Sequence, residues 1–198
     1  MNLSEYLPLS FSNNRSSKRT DMLNEALIEE FVTLYPQYSN LTWRQEVAIP
    51  DAYGATFKVD TVGYKGDTPV VVLLNKNINS NFAQNAKNYA NTTIAESLRL
   101  LLGPMGDTLE KVYFLNVYPR FAPYFKSSGE VSKVENINKV LQRTDIMGVI
   151  DKLNNTLCNN KVEVVSFQFD IEEVNTYTHK SQYQNGVTIT NLESFQLT

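Results

Sequence analysis

Asp60 lies within the run Phe57-Lys58-Val59-Asp60-Thr61-Val62-Gly63-Tyr64, and Lys76 closes the run Pro69-Val70-Val71-Val72-Leu73-Leu74-Asn75-Lys76. With a turn at Lys65-Gly66-Asp67-Thr68 the two runs read as the strands of a hairpin. They present a carboxylate on the first strand and an ammonium at the end of the second. A carboxylate supplies the hard oxygen ligand that Mg²⁺ prefers. A lysine beside it stabilises negative charge developing on a reacting oxygen. Two residues before the lysine stands Leu74, which cannot ligate a metal. Glu30 is a further candidate, because it falls inside the helical stripe Leu23, Ala26, Leu27, Phe31 and Leu34. A carboxylate on an apolar face needs a partner or a cation. It is either an edge residue bonded to a nearby backbone or basic group, or a member of a site.

The remaining composition narrows the chemistry. The chain has 198 residues, enough for one domain with an extension. Hydrophobic residues are 42% of it, which supports a sizeable core and excludes global disorder. A formal net charge of −3 argues against a surface coated in positive charge for bulk nucleic-acid binding, though not against a local basic groove. One cysteine, Cys158, and one histidine, His179, exclude a structural zinc site and leave a Cys–His nucleophile unsupported. The single cysteine suits a reducing compartment. No charged leader followed by an apolar run opens the chain, and no stretch is apolar enough to span a membrane, so a cytoplasmic, non-secreted protein is expected. Asparagine supplies 22 residues, about one in nine, a compositional bias with little chemical meaning of its own.

The elements that must position these residues follow from periodicity. Residues 1–16 read as an extended polar arm. Ser16 or Ser17 caps a helix that Pro36 stops. Trp43 to Ile49 alternates as a strand, and Pro50-Asp51-Ala52-Tyr53-Gly54 is turn material. Val70 to Leu74 is unbroken apolar sequence, as in a central strand buried on both faces. A long helix is predicted from Phe82 to Leu102, with Ala83, Ala86, Ala90, Ile94, Leu98 and Leu101 on its packed stripe and Gly103 at its end. Lys111 to Tyr118 is the next strand, parallel to the third through the helical crossover. Residues 119–135 read as an aromatic-rich loop, 137–156 as helical and 162–169 as a strand. The expected domain runs over 17–171. A polar extension, 172–198, holds an edge strand at Val187 to Thr190. This order predicts an α/β sandwich with a mixed central sheet flanked by helices.

On these residues the chain resembles the PD-(D/E)xK superfamily of restriction-endonuclease-like proteins. The resemblance covers roughly residues 17–118. It implies a restriction-endonuclease-like fold in which Glu30 is the helix glutamate, Asp60 the hairpin aspartate and Lys76 the lysine. The acidic position of the motif falls on Leu74, so the motif reads Leu74-Asn75-Lys76. In active members carboxylates hold Mg²⁺, so an active chain would use Asp60 and Glu30 as metal ligands, whereas a degenerate one needs no cofactor. Some members move the missing carboxylate to the following helix, where Glu96 is the one acidic residue. The chain is also loosely similar to nuclease-fold proteins encoded beside virion genes of tailed phages, including crAss-like phages. That similarity rests on Ile49-Pro50-Asp51 with Gly54 and on Gln84-Asn85-Ala86-Lys87-Asn88-Tyr89-Ala90-Asn91. It implies a ring, neck or head–tail connector protein that partners other virion proteins and copies of itself. It would reside in the host cytoplasm and then in the particle.

Two surfaces complete the expectations. Asn75, Lys76, Gln84 and Lys87 are candidate contacts to a DNA phosphate backbone, since amides and lysines bind phosphate without reading sequence. Tyr118, Phe121, Tyr124 and Phe125, beside Arg120 and Lys126, are candidate anchors of a protein interface; stacking on single-stranded bases and simple packing under a long loop are the alternatives. Three functions therefore compete: a non-enzymatic docking or structural protein, a Mg²⁺-dependent DNA endonuclease, and a DNA-binding module without cleavage.

Overall fold

The computed structural model describes residues 1–12 and 17–196. The chain runs through α1 (Leu3–Ser12), α2 (Ser17–Leu34), β1 (Thr42–Pro50), β2 (Thr56–Lys65), β3 (Thr68–Asn77) and α3 (Phe82–Leu101). It continues through β4 (Lys111–Pro119), β5 (Phe121–Phe125), β6 (Val131–Asn136), α4 (Ile137–Thr144) and α5 (Ile146–Leu157). It ends with β7 (Val162–Ile171), α6 (Lys180–Gln184) and β8 (Ile189–Gln196). Six strands form one mixed sheet in the order β1-β2-β3-β4-β7-β8. The pairs β1/β2, β2/β3 and β7/β8 are antiparallel, and β3/β4 and β4/β7 are parallel.

Strand alternation divides the interior into two cores. Val71 and Leu73 face α1 and α2, whose Leu7, Phe11, Leu27 and Phe31 are buried there. Val72 and Leu74 face α3, α4 and α5. A strand covered on both faces has no polar side, which is why 70–74 carries no alternation. The helix expected over 82–102 forms with Ala86 and Ala90 buried. These small side chains let α3 lie close to the sheet.

Several expectations need correction. The N-terminal segment is no extended arm: Leu3, Tyr6, Leu7 and Phe11 recur at helical spacing and are all buried in α1. Its start carries a reciprocal cap, in which Glu5 N–H donates to Asn2 Oδ1 at 3.0 Å and Asn2 N–H donates to Glu5 Oε2 at 3.2 Å. Residues 119–135 are no loop, because β5 and β6 pair as a separate antiparallel hairpin. Asn81, in the left-handed region at φ 53°, clasps that hairpin. Its Nδ2 donates to Phe125 O at 3.0 Å and its Oδ1 accepts from Phe125 N–H at 2.9 Å. The helical region 137–156 is two helices, broken where Asp145 takes φ 46°. The edge strand expected at Val187 to Thr190 is present as β8, which lies further toward the C-terminus and forms one edge of the main sheet beside β7.

The turn 51–55 is tied to the end of α3. Asp51, 1% exposed, pairs with Arg99 and accepts from Tyr53 N–H at 3.0 Å and Ala55 N–H at 3.1 Å. The Arg99 guanidinium beside Asp51 holds its carboxyl below the usual range. Arg99 in turn lies 4.5 Å from the ring centre of Phe57. Asp51 is therefore an architectural residue.

Candidate functional site

Asp60 and Lys76 come together on the face of the sheet that α3 covers, and α3 adds Glu96. Lys76 Nζ lies 3.8 Å from Glu96 Oε1. The other oxygen of Glu96 is buried and has no hydrogen-bond partner among the described residues. Asp60 Oδ2 accepts the Asn75 N–H at 2.7 Å. Leu74, two residues before Lys76, is 2% exposed and packs in the core under α3. The position from which a third carboxylate would project is thus part of the hydrophobic interior.

The electrostatics of the pair follow from this packing. Burial raises the Asp60 carboxyl above its ordinary value, against the opposing pull of the Asn75 N–H and of Lys76. Burial likewise raises Glu96, with Lys76 opposing and the Asp60 charge adding to the rise. Asp60 and Glu96 therefore feel each other across Lys76. Among the described residues no three Asp, Glu, His or Cys side chains are grouped to hold a metal ion. Two carboxylates are as many as Mg²⁺ commonly takes from a protein, the rest of its shell being water and phosphate, but here one accepts a backbone N–H and the other faces a lysine.

Glu30 is not in this cluster as expected. It sits half-buried on the flank of the α2 stripe, while Leu23, Ala26, Leu27 and Phe31 are buried. Leu34, assigned to the same stripe, is 42% exposed. The α2 residue that reaches the hairpin is Asn24, six positions earlier and about 9 Å along the helix axis. Asn24 is fully buried. Its Nδ2 donates to Asp60 O at 3.3 Å, and its Oδ1 accepts from Asn75 Nδ2 at 2.8 Å. A neutral amide thus takes the place where a helix carboxylate was expected to meet the strands. Sequence reasoning passed over Asn24 because asparagine is common throughout the chain. Its only local signal is a polar residue between Leu23 and the buried pair Ala26 and Leu27.

The other expected contacts separate. Asn75 points to Asn24, away from Lys76, and is 9% exposed, so it is withdrawn from any phosphate. Gln84 and Lys87 are exposed on α3. Of the expected interface aromatics, Tyr118 and Phe125 are core residues at 1% and 7% exposure, because the strands that carry them are packed. Phe121 is 40% exposed, and Tyr124 is half-buried with Lys133 Nζ 5.1 Å from its ring centre.

The chain matches no family model, no characterised protein and no solved structure. Among the described residues no helix is long and apolar enough to cross a membrane.

One consequence is measurable. A carboxyl whose pKa is raised on folding binds its proton more tightly in the folded state. Its contribution is complete below the unfolded pKa and is lost as pH rises through the folded one. Asp60 therefore weakens the fold near neutral pH. Asp60→Asn keeps an oxygen for the Asn75 N–H and removes the buried charge. Its melting temperature should exceed that of the wild type at about pH 7, and the gap should close below about pH 4, where the wild-type group is protonated in both states. Thermal melts across that range provide the check.

Proposed function

We propose that this chain is a catalytically degenerate member of the restriction-endonuclease-like group that works as a structural or docking component, of a tailed-phage particle in particular. The observation that carries this reading is Leu74, sealed in the core at the position of the motif's second acidic residue. The order α2-β1-β2-β3-α3-β4, with an antiparallel meander followed by a parallel strand, supports the fold half of the reading. Its docking half is supported by Phe121 and Tyr124, which the β5–β6 hairpin leaves accessible to a partner or a second copy.

The alternative of a Mg²⁺-dependent endonuclease draws support from Glu96, the helix carboxylate that meets Lys76. The alternative of DNA binding without cleavage rests on exposed Gln84 and Lys87. One set of measurements separates the three. Supercoiled plasmid incubated with the protein and Mg²⁺ or Mn²⁺ should remain unnicked, and light scattering should report a mass above that of one chain. Nicking that disappears in Asp60→Ala would mark an endonuclease. Plasmid retardation lost in Lys87→Ala, without nicking, would mark a DNA-binding module. A strict monomer at high concentration counts against the docking role.

A further inference from the structure

Of the 22 asparagines in the chain, Asn185 alone is followed by glycine. The pair lies in the exposed segment between α6 and β8. Both ends of that segment are fixed. On one side Tyr183 is 2% exposed, its hydroxyl donates to Asn79 O, and its ring centre lies 5.0 Å from Phe11 and 5.6 Å from Phe125. On the other side Glu172 N–H donates to Thr188 O at 3.2 Å, and Ile189 pairs with Ile171. Between these anchors Asn185 N–H donates to Gln182 O at 3.1 Å, and Gly186 O accepts the Tyr177 hydroxyl at 3.3 Å. The Asn185 side-chain amide and the Gly186 N–H have no hydrogen-bond partner among the described residues. Gly186 takes φ 135°, a conformation that glycine adopts readily, and a Cβ built there would meet nothing within 4 Å.

We propose that Asn185 is a site of spontaneous covalent modification, at which its side-chain amide becomes a carboxylate through a cyclic imide with Gly186. The Gly186 nitrogen gives its proton to water and attacks Asn185 Cγ. An N–C bond forms, the Cγ–Nδ2 bond breaks, and the amide nitrogen leaves as ammonia with a proton taken from water. The succinimide then adds a water molecule. Opening at Cγ leaves aspartate, and opening at the main-chain carbonyl leaves isoaspartate, whose main chain runs through Cβ. Nothing is oxidised or reduced, and water is the only co-reactant. Ring closure requires Asn185 ψ to rotate from the 0° it holds at the end of α6. The open space around Gly186 permits that rotation, and its unbonded N–H is accessible to water. Asn79, followed by the small residue Ser80, is held differently, with its Nδ2 turned to Ser10 Oγ at 3.4 Å. Either product adds a negative charge to a chain of formal net charge −3. Isoaspartate also inserts a main-chain carbon into a segment fixed at both ends, which strains the Tyr177 contact to Gly186 O and the entry to β8. The proposal is independent of the docking function argued above.

The test holds the folded protein at mildly alkaline pH, where amide nitrogens lose protons more readily, and samples it over weeks by isoelectric focusing and peptide mass mapping. A more acidic form should accumulate. The mass gain of replacing an amide NH₂ by OH should fall in the peptide that carries Asn185, and part of that peptide should elute separately as the isoaspartate isomer. A parallel sample unfolded in urea gives the rate of the unrestrained chain. Conversion in the folded protein should run within roughly tenfold of that rate, the factor that a small conformational cost imposes. Asn185→Gln, which can close only a larger ring, should lose the conversion, and circular dichroism reports whether the variant is folded. The proposal is overturned if the peptide converts in urea and stays unchanged in the folded protein, since the fold then keeps Asn185 Cγ from Gly186. It is also overturned if the acidic form accumulates equally in folded Asn185→Gln.

Discussion

Leu74→Glu should lower the stability of the folded chain by about 4 kcal/mol or more near neutral pH, since a core leucine alone is worth about 2–5 kcal/mol and a buried charge adds to that. A domain of this kind has about 5–15 kcal/mol in total, so urea unfolding should show a large fall in midpoint. Leu74 is 2% exposed and touches the α3 core. The new carboxylate would also stand next to Asn75, whose N–H holds Asp60, and two residues from Lys76, which meets Glu96, both of these carboxyls being already raised by burial. Its own pKa must therefore rise in the folded state. By the same linkage the loss should shrink as pH falls toward the ordinary carboxylate range. Leu74→Met, close in volume, should stay within about 1.5 kcal/mol of wild type, which separates charge from packing. The variant also probes descent. If the hairpin derives from a metal site, the third carboxylate should let Mg²⁺ raise the melting temperature of Leu74→Glu while leaving the wild type unmoved. An identical Mg²⁺ response in both proteins would detach the strand pattern from any vestigial metal site.

The parts of the fold that could be read in advance are those whose pattern is local. Val70 to Leu74 announces a strand covered on both faces, and the alanines of α3 announce close packing on a sheet. The segments that misled carry mixed signals. In α1 the stripe Leu3, Tyr6, Leu7 and Phe11 was present, with the Asn2–Glu5 cap at its start, but the polar residues among scattered aromatics over 1–16 suggested an arm. The prolines at 119 and 123 suggested a loop, yet Pro119 closes β4 and Pro123 lies in β5, whose two-stranded hairpin outside the main sheet tolerates proline on its edges. The site was half legible for a similar reason. Asp60 and Lys76 are neighbours through one hairpin, so their meeting follows from the sequence. Glu96 reaches Lys76 only because α3 crosses back over β3, and Asn24 replaces Glu30 because the rotation and height of α2 are set by its packing.

Phe31→Ala should cost about 3–5 kcal/mol, the range for removing a fully buried phenylalanine from a core that cannot close over the space. Phe31 is 0% exposed and is the common neighbour of an aromatic group drawn from four segments. Its ring centre is 4.8 Å from Tyr35, 5.7 Å from Tyr38, 5.7 Å from Trp43 and 4.7 Å from Tyr113. The Trp43 and Tyr113 contacts are edge-on, the geometry that ring quadrupoles favour, and such pairs add about 0.5–1.5 kcal/mol beyond buried area. Tyr113 leaves the surrounding wall little room to relax, because β4 is paired on both sides. Phe31→Leu restores much of the apolar area without the ring contacts, so it should recover part of the loss and leave the ring-pair share exposed. Phe31→Ala and Tyr113→Phe should combine non-additively, since the Tyr113 ring is in edge contact with Phe31 and its position depends on that ring. Denaturant midpoints for the two singles and the double measure that coupling. Simple additivity would mean that Phe31 stabilises by area alone and does not set the orientation of the Tyr113 ring.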